Sequence, residues 1–178
     1  GFFDIPVDNL FATPIFARHA KKNIKNKNII CVAPDVGGTE RARALGKILN
    51  VGLAIVDKRR PKPGQSKVMN VIGNVKGKTC VIVDDIIDSG GTIINSAKAL
   101  KDKGAKEVYV YITHGVLSGE AVEQIKKSVI KNLVITDTID NHEKIKKAKN
   151  IEVLPISGLM GEAIKRISNS TSVSDLFK

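Results

Sequence analysis

Residues 81–92 constrain the fold of this chain more than any other segment, because an apolar strand must run there almost directly into a helix. The apolar residues at the start predict a strand, and the small, glycine-rich end predicts a turn that opens a helix. A helix N-terminus combines unpaired backbone N–H donors with the positive end of the helix dipole. The amides of residues 89–92 are therefore expected to bind an anion.

Two acids follow the apolar part of this strand. Asp84 and Asp85 are expected to face the same crevice as the anion site, where they could accept hydrogen bonds from sugar hydroxyls or hold a hydrated divalent ion. An anion site beside such acids indicates a sugar phosphate. The alternative interpretation is a surface turn with solvated acids, in which Ser89 or Thr92 only caps the next helix.

Short apolar runs alternate with helical patterns along most of the chain. Strands are predicted at residues 28–33, 52–57, 68–72, 78–83, 107–113, 133–136 and 152–155. The helices between and after them are predicted to have apolar faces formed by Ala42, Leu45 and Leu49, by Ile93, Ala97 and Leu100, by Val122, Ile125 and Val129, and by Met160, Ala163, Ile164 and Ile167. Nearly continuous apolar strands between helices predict an α/β fold, with a mostly parallel sheet covered by helices on both faces.

A second glycine-containing loop follows the first predicted strand. Asp35, Gly37 and Gly38 stand between that strand and a helix that starts at Thr39. The glycine amides could bind a second phosphate group, such as a diphosphate, and Asp35 could hold a magnesium ion that bridges its oxygens. An ordinary strand-to-helix turn is the alternative.

A basic, proline-rich segment follows the second predicted strand. Lys58, Arg59 and Arg60 are expected on an exposed loop over the same crevice. Cations there could offset the negative charge that spreads during phosphoryl transfer. A solvated run of charge is the alternative.

Length and composition limit the remaining possibilities. We expect a single domain over residues 1–178, because no low-complexity break divides the chain. The net charge is +11, yet the lysine runs at 21–27 and 144–149 are not interleaved with the aromatic residues that stack on bases, so nucleic-acid binding is not expected. Neither a membrane span nor a signal peptide is indicated.

The cysteines and histidines show no metal-ligand or nucleophile pattern. Cys31 and Cys80 fall in apolar strands and are interpreted as reduced core residues, which favours a cytoplasmic protein. His19, His114 and His142 receive no catalytic role.

Six segments in order along the chain resemble the C-terminal half of the ribose-phosphate diphosphokinase family, the phosphoribosyl diphosphate (PRPP) synthases. They are residues 1–10, 34–38, 57–61, 84–92, 113–119 and 172–177. Phosphoribosyltransferases of type I share only the 84–92 motif. The resemblance implies a type I phosphoribosyltransferase-like fold. It also implies transfer of the diphosphoryl group of ATP to the C1 hydroxyl of ribose 5-phosphate, giving PRPP and AMP with Mg²⁺.

The resemblance implies a role for each matching residue. Lys58 matches the catalytic lysine and Arg60 the arginine of the family's flexible catalytic loop, while Asp35 matches a magnesium ligand. The remaining matches are ribose 5-phosphate ligands, namely Asp84 and Asp85 at the hydroxyls and Asp88, Ser89, Gly90, Gly91 and Thr92 at the phosphate. The chain departs from the family at Ala33, where a serine is common, and at Ser89, where a threonine is common.

The resemblance lacks the family's N-terminal half, which carries most of the ATP contacts. The isolated chain is therefore expected to be incomplete as an enzyme, and to form homo-oligomers or associate with an N-terminal half. Two other interpretations stay open: a non-catalytic ribose-phosphate-binding or regulatory subunit, and a true phosphoribosyltransferase.

Overall fold

A computed structural model describes residues 2–26, 28–59 and 68–177, without the side chains of residues 58, 59 and 68. In chain order its elements are α1 (Thr13–Asn23), β1 (Ile29–Ala33), α2 (Thr39–Leu49), β2 (Gly52–Arg59), β3 (Val68–Ile72), β4 (Thr79–Ile87), α3 (Gly91–Asp102), β5 (Glu107–Gly115), α4 (Ala121–Lys127), β6 (Asn132–Thr136), α5 (His142–Ile145), β7 (Ile151–Leu154) and α6 (Ser157–Ser168), followed by a 3₁₀ helix (Ser174–Phe177).

The strands form one seven-stranded sheet in the order β3-β2-β1-β4-β5-β6-β7. Every neighbouring pair is parallel except β2 and β3, which are antiparallel. The α/β architecture with a mostly parallel sheet is therefore confirmed.

Apolar side chains of the strands are buried on both faces of the sheet. Cys31 and Val81 join the core that packs against α1 and α2, whereas Cys80 and Ile82 join the core that packs against α3 and α4. This alternation follows from the two-residue period of a strand. It explains why the strands appear in the sequence as unbroken apolar runs.

The local sequence of helix α2, which borders the crevice, accounts for its buried face and for where it ends. Its buried Ala42 and Leu45 fix one face against the sheet. Glu40 in the first turn and Lys47 in the last complement the helix dipole. Asn50, at a left-handed φ of 56°, ends the helix.

The loops after β1 and β4 leave the sheet in opposite directions. β1 lies beside both β2 and β4, and the chain passes through α2 to β2 on one side but through α3 to β5 on the other. Parallel α/β sheets bind ligands at such a point, in the crevice outside the carboxyl ends of the strands.

Strand β4 is longer than the sequence pattern predicts. Its pairing with β1 ends at Val32↔Ile82, but its pairing with β5 continues to Ile87↔Gly115. Asp84 and Asp85 therefore lie within the strand rather than after it. They lie beyond the part of β4 that is paired with β1, at the edge where the β1–α2 loop begins.

Two predicted helix faces are wrong in detail, and α1 and α5 have no counterpart in the prediction. α4 ends at Lys127, and Val129 beyond it is 45% exposed. On α6 only Ala163 is buried, and Ile164 and Ile167 are 62% and 58% exposed. α1 packs on the sheet through Phe16 and its neighbours, although the sequence patterns gave no expectation there.

Candidate active site at the carboxyl edge of the sheet

Arg41 bridges the two acids of β4. Its Nη1 donates to Asp84 Oδ1 at 2.6 Å, and its Nη2 donates to Asp85 Oδ2 at 2.7 Å. The backbone N–H of Asp85 also donates to Asp84 Oδ1, at 3.0 Å. The predicted acidic pair is thus tied to the first turn of α2 by one guanidinium group.

Asp84 lies in an environment that favours its protonated form. Burial raises the pKa of its carboxyl group to about 6, and the neighbouring carboxylates of Asp85 and Asp35 act in the same direction. The Asp85 amide and the Arg41 guanidinium lower the pKa, but burial outweighs them because the Asp84 side chain is only 17% exposed. A further cation at this place would favour the ionised acid.

The β1–α2 loop brings its carboxylate to the same place. Asp35 Oδ1 accepts a hydrogen bond from the Gly38 N–H at 2.9 Å. A Cβ at Gly38 would lie 3.3 Å from Pro34 Cδ and 3.7 Å from Arg41 Nη1. Glycine therefore leaves room between the loop and the arginine, and the structure groups Asp35, Gly38 and the two acids of β4 around Arg41.

The β4–α3 loop forms the predicted glycine-rich helix start. Gly90 caps α3 with a φ of +81°, a conformation that costs glycine little. A Cβ at Gly91 would meet open space. The segment after β5 supports the start of this loop, because the Val116 N–H donates to Ile87 O at 2.9 Å.

Exposed residues of this loop surround the start of α3. Asp88, Ser89 and Thr92 are exposed, and the first amides of α3 have no intrahelical acceptor. A depression of 550 Å³ extends from Ser89 and Thr92 along α3 to Lys103. Asp84 and Asp85 do not line it, so the acids and the helix start do not share this depression.

A second cavity lies on the other side of the β1–α2 loop. It encloses 740 Å³, and its lining includes Gly37, Arg41, Phe11 and Phe177. Gly37 therefore faces a partly apolar space that borders the segment before α1 and the terminal 3₁₀ helix.

The basic segment is described only at its start. The main chain of Lys58 lies in β2, where it pairs with Met69 of β3. β2 is the parallel neighbour of β1, so its carboxyl end reaches the same edge of the sheet as Asp35. The Lys58 side chain and all of Arg60 lie outside the described residues, so their predicted catalytic roles stay predictions.

The acids fit a magnesium ion that also binds substrate oxygens. Among the described residues, no three His, Cys, Asp or Glu side chains form a cluster that could hold a metal alone. Mg²⁺ is usually held by one or two carboxylates together with substrate phosphates. Asp35 provides such a carboxylate.

Arg41 is the site residue that sequence reasoning missed. It lies 43 and 44 positions from the acids that it bridges, so no local motif joins them. The position of Arg41 could have indicated its role, since a basic residue in the first helical turn after a glycine loop lies at the carboxyl edge of the sheet. The predicted site ended before this turn, which begins at Thr39.

Two of the histidines make contacts within the fold. His19 lies between the Tyr111 hydroxyl and the Glu152 carboxylate, 3.0 Å from each. His114 Nδ1 is 2.9 Å from Thr138 Oγ1. In the part of the chain that the structure describes, the helices are too short or too polar to span a bilayer.

Comparison with known proteins identifies the family. The model of the phosphoribosyl synthetase-associated domain matches residues 58–178. The chain belongs to this family. It is also similar to the ribose-phosphate pyrophosphokinases of Hyphomonas neptunium and Rhizobium meliloti, with 58% identity to each over 99% of the chain. The resemblance to ribose-phosphate diphosphokinases is therefore confirmed, although the chain spans only 57% of the length of either relative.

Solved structures extend the family's fold assignment. Phosphoribosylpyrophosphate synthetase from Mycobacterium smegmatis is similar with a TM-score of 0.85 and 33% identity, over 95% of this chain and 54% of that one. Adenine phosphoribosyltransferase from Trypanosoma brucei has a TM-score of 0.56 and 16% identity, over 82% of this chain and 63% of that one. The second likeness concerns the fold alone, and it agrees with a type I phosphoribosyltransferase-like architecture.

Proposed function

We propose that residues 1–178 form one domain of a ribose-phosphate diphosphokinase, which transfers the diphosphoryl group of ATP to the C1 hydroxyl of ribose 5-phosphate. The observation that carries the proposal is the acidic pair Asp84 and Asp85 beside a glycine-capped helix start, at the carboxyl edge of a parallel sheet. Identity to the ribose-phosphate pyrophosphokinases over nearly the whole chain supports it.

Ribose 5-phosphate would bind along the β4–α3 loop. The amides of residues 89–92, with the hydroxyls of Ser89 and Thr92, would hold the 5-phosphate at the positive end of α3. Gly90 supplies the left-handed turn before α3, and Gly91, where a Cβ would meet open space, would let the main chain approach the phosphate closely. Asp88 belongs to the same loop. Asp84 and Asp85 would accept hydrogen bonds from the ribose hydroxyls, which orients the C1 hydroxyl toward the β1–α2 loop.

The transferred diphosphoryl group would lie against the β1–α2 loop. The Gly37 amide would donate to its oxygens, and Gly38, whose own N–H donates to Asp35 Oδ1, would let the main chain come close to them. We assign Lys58 and Arg60 the task of offsetting the charge that spreads over the group during in-line displacement. The role of Lys58 is supported by the position of its main chain at the end of β2.

A magnesium ion is part of the proposal, with Asp35 as its protein ligand. When bound it would neutralise phosphate charge, which is the chemistry that carboxylates alone cannot supply. Asp35 keeps one carboxylate oxygen outside its hydrogen bond to Gly38. Burial raises the pKa of the neighbouring Asp84, and the carboxylates of Asp85 and Asp35 raise it further, so negative charge is concentrated where the cation would bind.

ATP binding, assembly and compartment are also proposals. We propose that ATP contacts, and therefore AMP formation, require parts of the relatives that these 178 residues do not span. Self-association or pairing with such a part would complete the nucleotide site. Burial raises the pKa of the Cys31 and Cys80 thiols to about 12, and buried free thiols suit a reducing compartment such as the cytoplasm.

Isothermal titration with ribose 5-phosphate tests the binding proposal. We expect the wild-type chain to bind and Asp84→Asn to bind about tenfold more weakly or worse, because a hydrogen bond to a charged acceptor is lost. Asp8→Asn is the matched control, since Asp8 is an exposed acid remote from β4 in sequence. Equal affinities of the wild type and Asp84→Asn would contradict the proposed site.

Product formation tests the catalytic proposal. With ATP, ribose 5-phosphate and Mg²⁺, we expect negligible AMP from the chain alone. AMP should form when the N-terminal part of a ribose-phosphate pyrophosphokinase is fused to it, and Lys58→Ala should abolish it. Full turnover by the 178 residues alone would contradict the requirement for a further part.

A further inference from the structure

We propose that Arg41 is a positioning residue that makes the site selective for a vicinal diol, and so for ribose over 2-deoxyribose. This inference rests on the proposed function, because it concerns the same ribose subsite. Arg41 lies on α2, outside the predicted motifs, and the property that it would make the site select is the vicinal diol of the sugar.

Asp84 and Asp85 are consecutive residues of a strand. Side chains of consecutive strand residues point to opposite faces of a sheet, so two such carboxylates normally diverge. Like charge also drives two carboxylates apart. An acidic pair in this position needs an external constraint before it can act on one ligand.

Arg41 supplies that constraint. Its guanidinium group donates one hydrogen bond to each acid, to Asp84 Oδ1 at 2.6 Å and to Asp85 Oδ2 at 2.7 Å. We call this pair of hydrogen bonds the fork. The second oxygen of each carboxylate, Asp84 Oδ2 and Asp85 Oδ1, lies outside this fork. The fork therefore fixes the distance and orientation between these two acceptor oxygens, so that each can accept a hydrogen bond from one hydroxyl of a diol.

The arginine is itself held in place. It follows Glu40 in the first turn of α2, and the next residue, Ala42, is fully buried in the core beneath the helix. The Arg41 side chain is 32% exposed, so about two-thirds of it is covered. The backbone of α2 thus fixes the point from which the fork reaches the acids.

The constraint requires a planar fork rather than a charge. Arginine offers parallel N–H donors in a rigid plane, whereas lysine is a compact point charge on a flexible stem. Arg41→Lys should keep the net charge and lose the simultaneous grip on both acids. The position of Asp85 should suffer most, because its side chain is 57% exposed.

Selectivity between two sugars reports on this geometry. Ribose 5-phosphate offers both hydroxyls of the diol, whereas 2-deoxyribose 5-phosphate offers one. With the fork intact, each carboxylate binds one hydroxyl, and the deoxy sugar leaves one acceptor unpaired. Without the fork, the second hydroxyl adds little affinity.

The experiment compares both sugar phosphates by isothermal titration on the full chain. We expect wild-type protein to prefer ribose 5-phosphate by about tenfold or more. Arg41→Lys and Arg41→Gln should reduce this preference to about threefold or less, through weaker binding of ribose 5-phosphate and nearly unchanged binding of the deoxy sugar. Arg43→Lys is the matched control, since Arg43 is an exposed arginine on the same helix, and it should behave as wild type.

Three results would overturn the inference. Both Arg41 variants could keep the wild-type preference, they could bind the two sugars more weakly by the same factor, or they could bind ribose 5-phosphate more tightly. The last result would identify Arg41 as a competitor for the acids. Failure of wild-type protein to bind ribose 5-phosphate would instead contradict the proposed function, so the two failures are distinguishable.

Discussion

At the scale of single residues, Asp84 couples the site to the stability of the fold. Burial raises the pKa of its carboxyl group from an ordinary value of 3.8 to about 6. The folded chain therefore holds this proton more tightly than the unfolded chain does. The stability that results is present in full below about pH 4 and is lost as the pH rises through about 6.

Asp84→Asn should remove this pH dependence. Between pH 4.5 and pH 7.5, the free energy of unfolding of the wild type should fall further than that of the variant, by about 1 to 3 kcal/mol. Urea unfolding at both pH values measures the difference. Parallel pH profiles of the two proteins would show that Asp84 keeps its ordinary pKa in the fold.

At the scale of elements, the end of β5 is a place where only glycine fits. A Cβ at Gly115 would lie 2.8 Å from Ile135 Cδ1 and 3.1 Å from Ile135 Cγ2, and Ile135 is fully buried. Because both methyl groups would have to move inside a packed core, the substitution Gly115→Ala should be destabilising.

We expect Gly115→Ala to lower the free energy of unfolding by about 1 to 3 kcal/mol. Gly158→Ala is the control, because a Cβ there would meet nothing within 4 Å and the residue lies in α6. The control should be neutral or slightly stabilising. Denaturant unfolding of both variants tests the contrast, and an equal stability of the two variants would show that Ile135 can move aside.

Elements whose apolar residues are buried could be predicted from the sequence. β3 and β6 were predicted within one residue, because turn residues bound their apolar runs. The end of β4 could not be predicted, since pairing with β5 carries it through acidic residues that normally signal a loop. The prediction of a buried face on α6 was wrong, because the apolar residues of this helix are mostly exposed. A periodic pattern identifies an apolar face but does not show whether another element covers it.

At the scale of the whole molecule, the site also combines features that local sequence predicts with features that only the tertiary fold creates. The glycine loops at 35–38 and 88–92 are local, so the residues that form them could be identified from the chain alone. Their meeting at one edge could also be predicted, because parallel strands align their carboxyl ends. The Arg41 bridge could not, since the sheet brings together residues of separate motifs.

The segment before α1 and the terminal 3₁₀ helix meet in an aromatic contact. The rings of Phe11 and Phe177 are 5.4 Å apart between centroids, at an interplanar angle of 87°. Edge-to-face pairs of this kind stabilise folded chains beyond the area that they bury. The contact joins the segment before α1 to the terminal 3₁₀ helix.

A double-mutant cycle with Phe11→Ala and Phe177→Ala should give a coupling free energy of about 0.5 to 1 kcal/mol. Phe3→Ala provides the control, because Phe3 is 68% exposed, and its coupling to Phe177 should be close to zero. Thermal or denaturant unfolding of the variants supplies the values. Additive effects of the Phe11 and Phe177 substitutions would show that the segment before α1 and the 3₁₀ helix do not stabilise each other.

We propose that one phosphorylated pentose contacts the first turn of α3 with its phosphate and the β4 acids with its hydroxyls. Titration of ¹⁵N-labelled protein with ribose 5-phosphate, followed by amide and arginine side-chain shifts, tests whether one ligand makes both contacts. The largest shifts should fall on the amides of residues 89–92 and on the Arg41 guanidinium, in the same concentration range. Shifts confined to other parts of the chain, or shifts of the two groups at different concentrations, would contradict it.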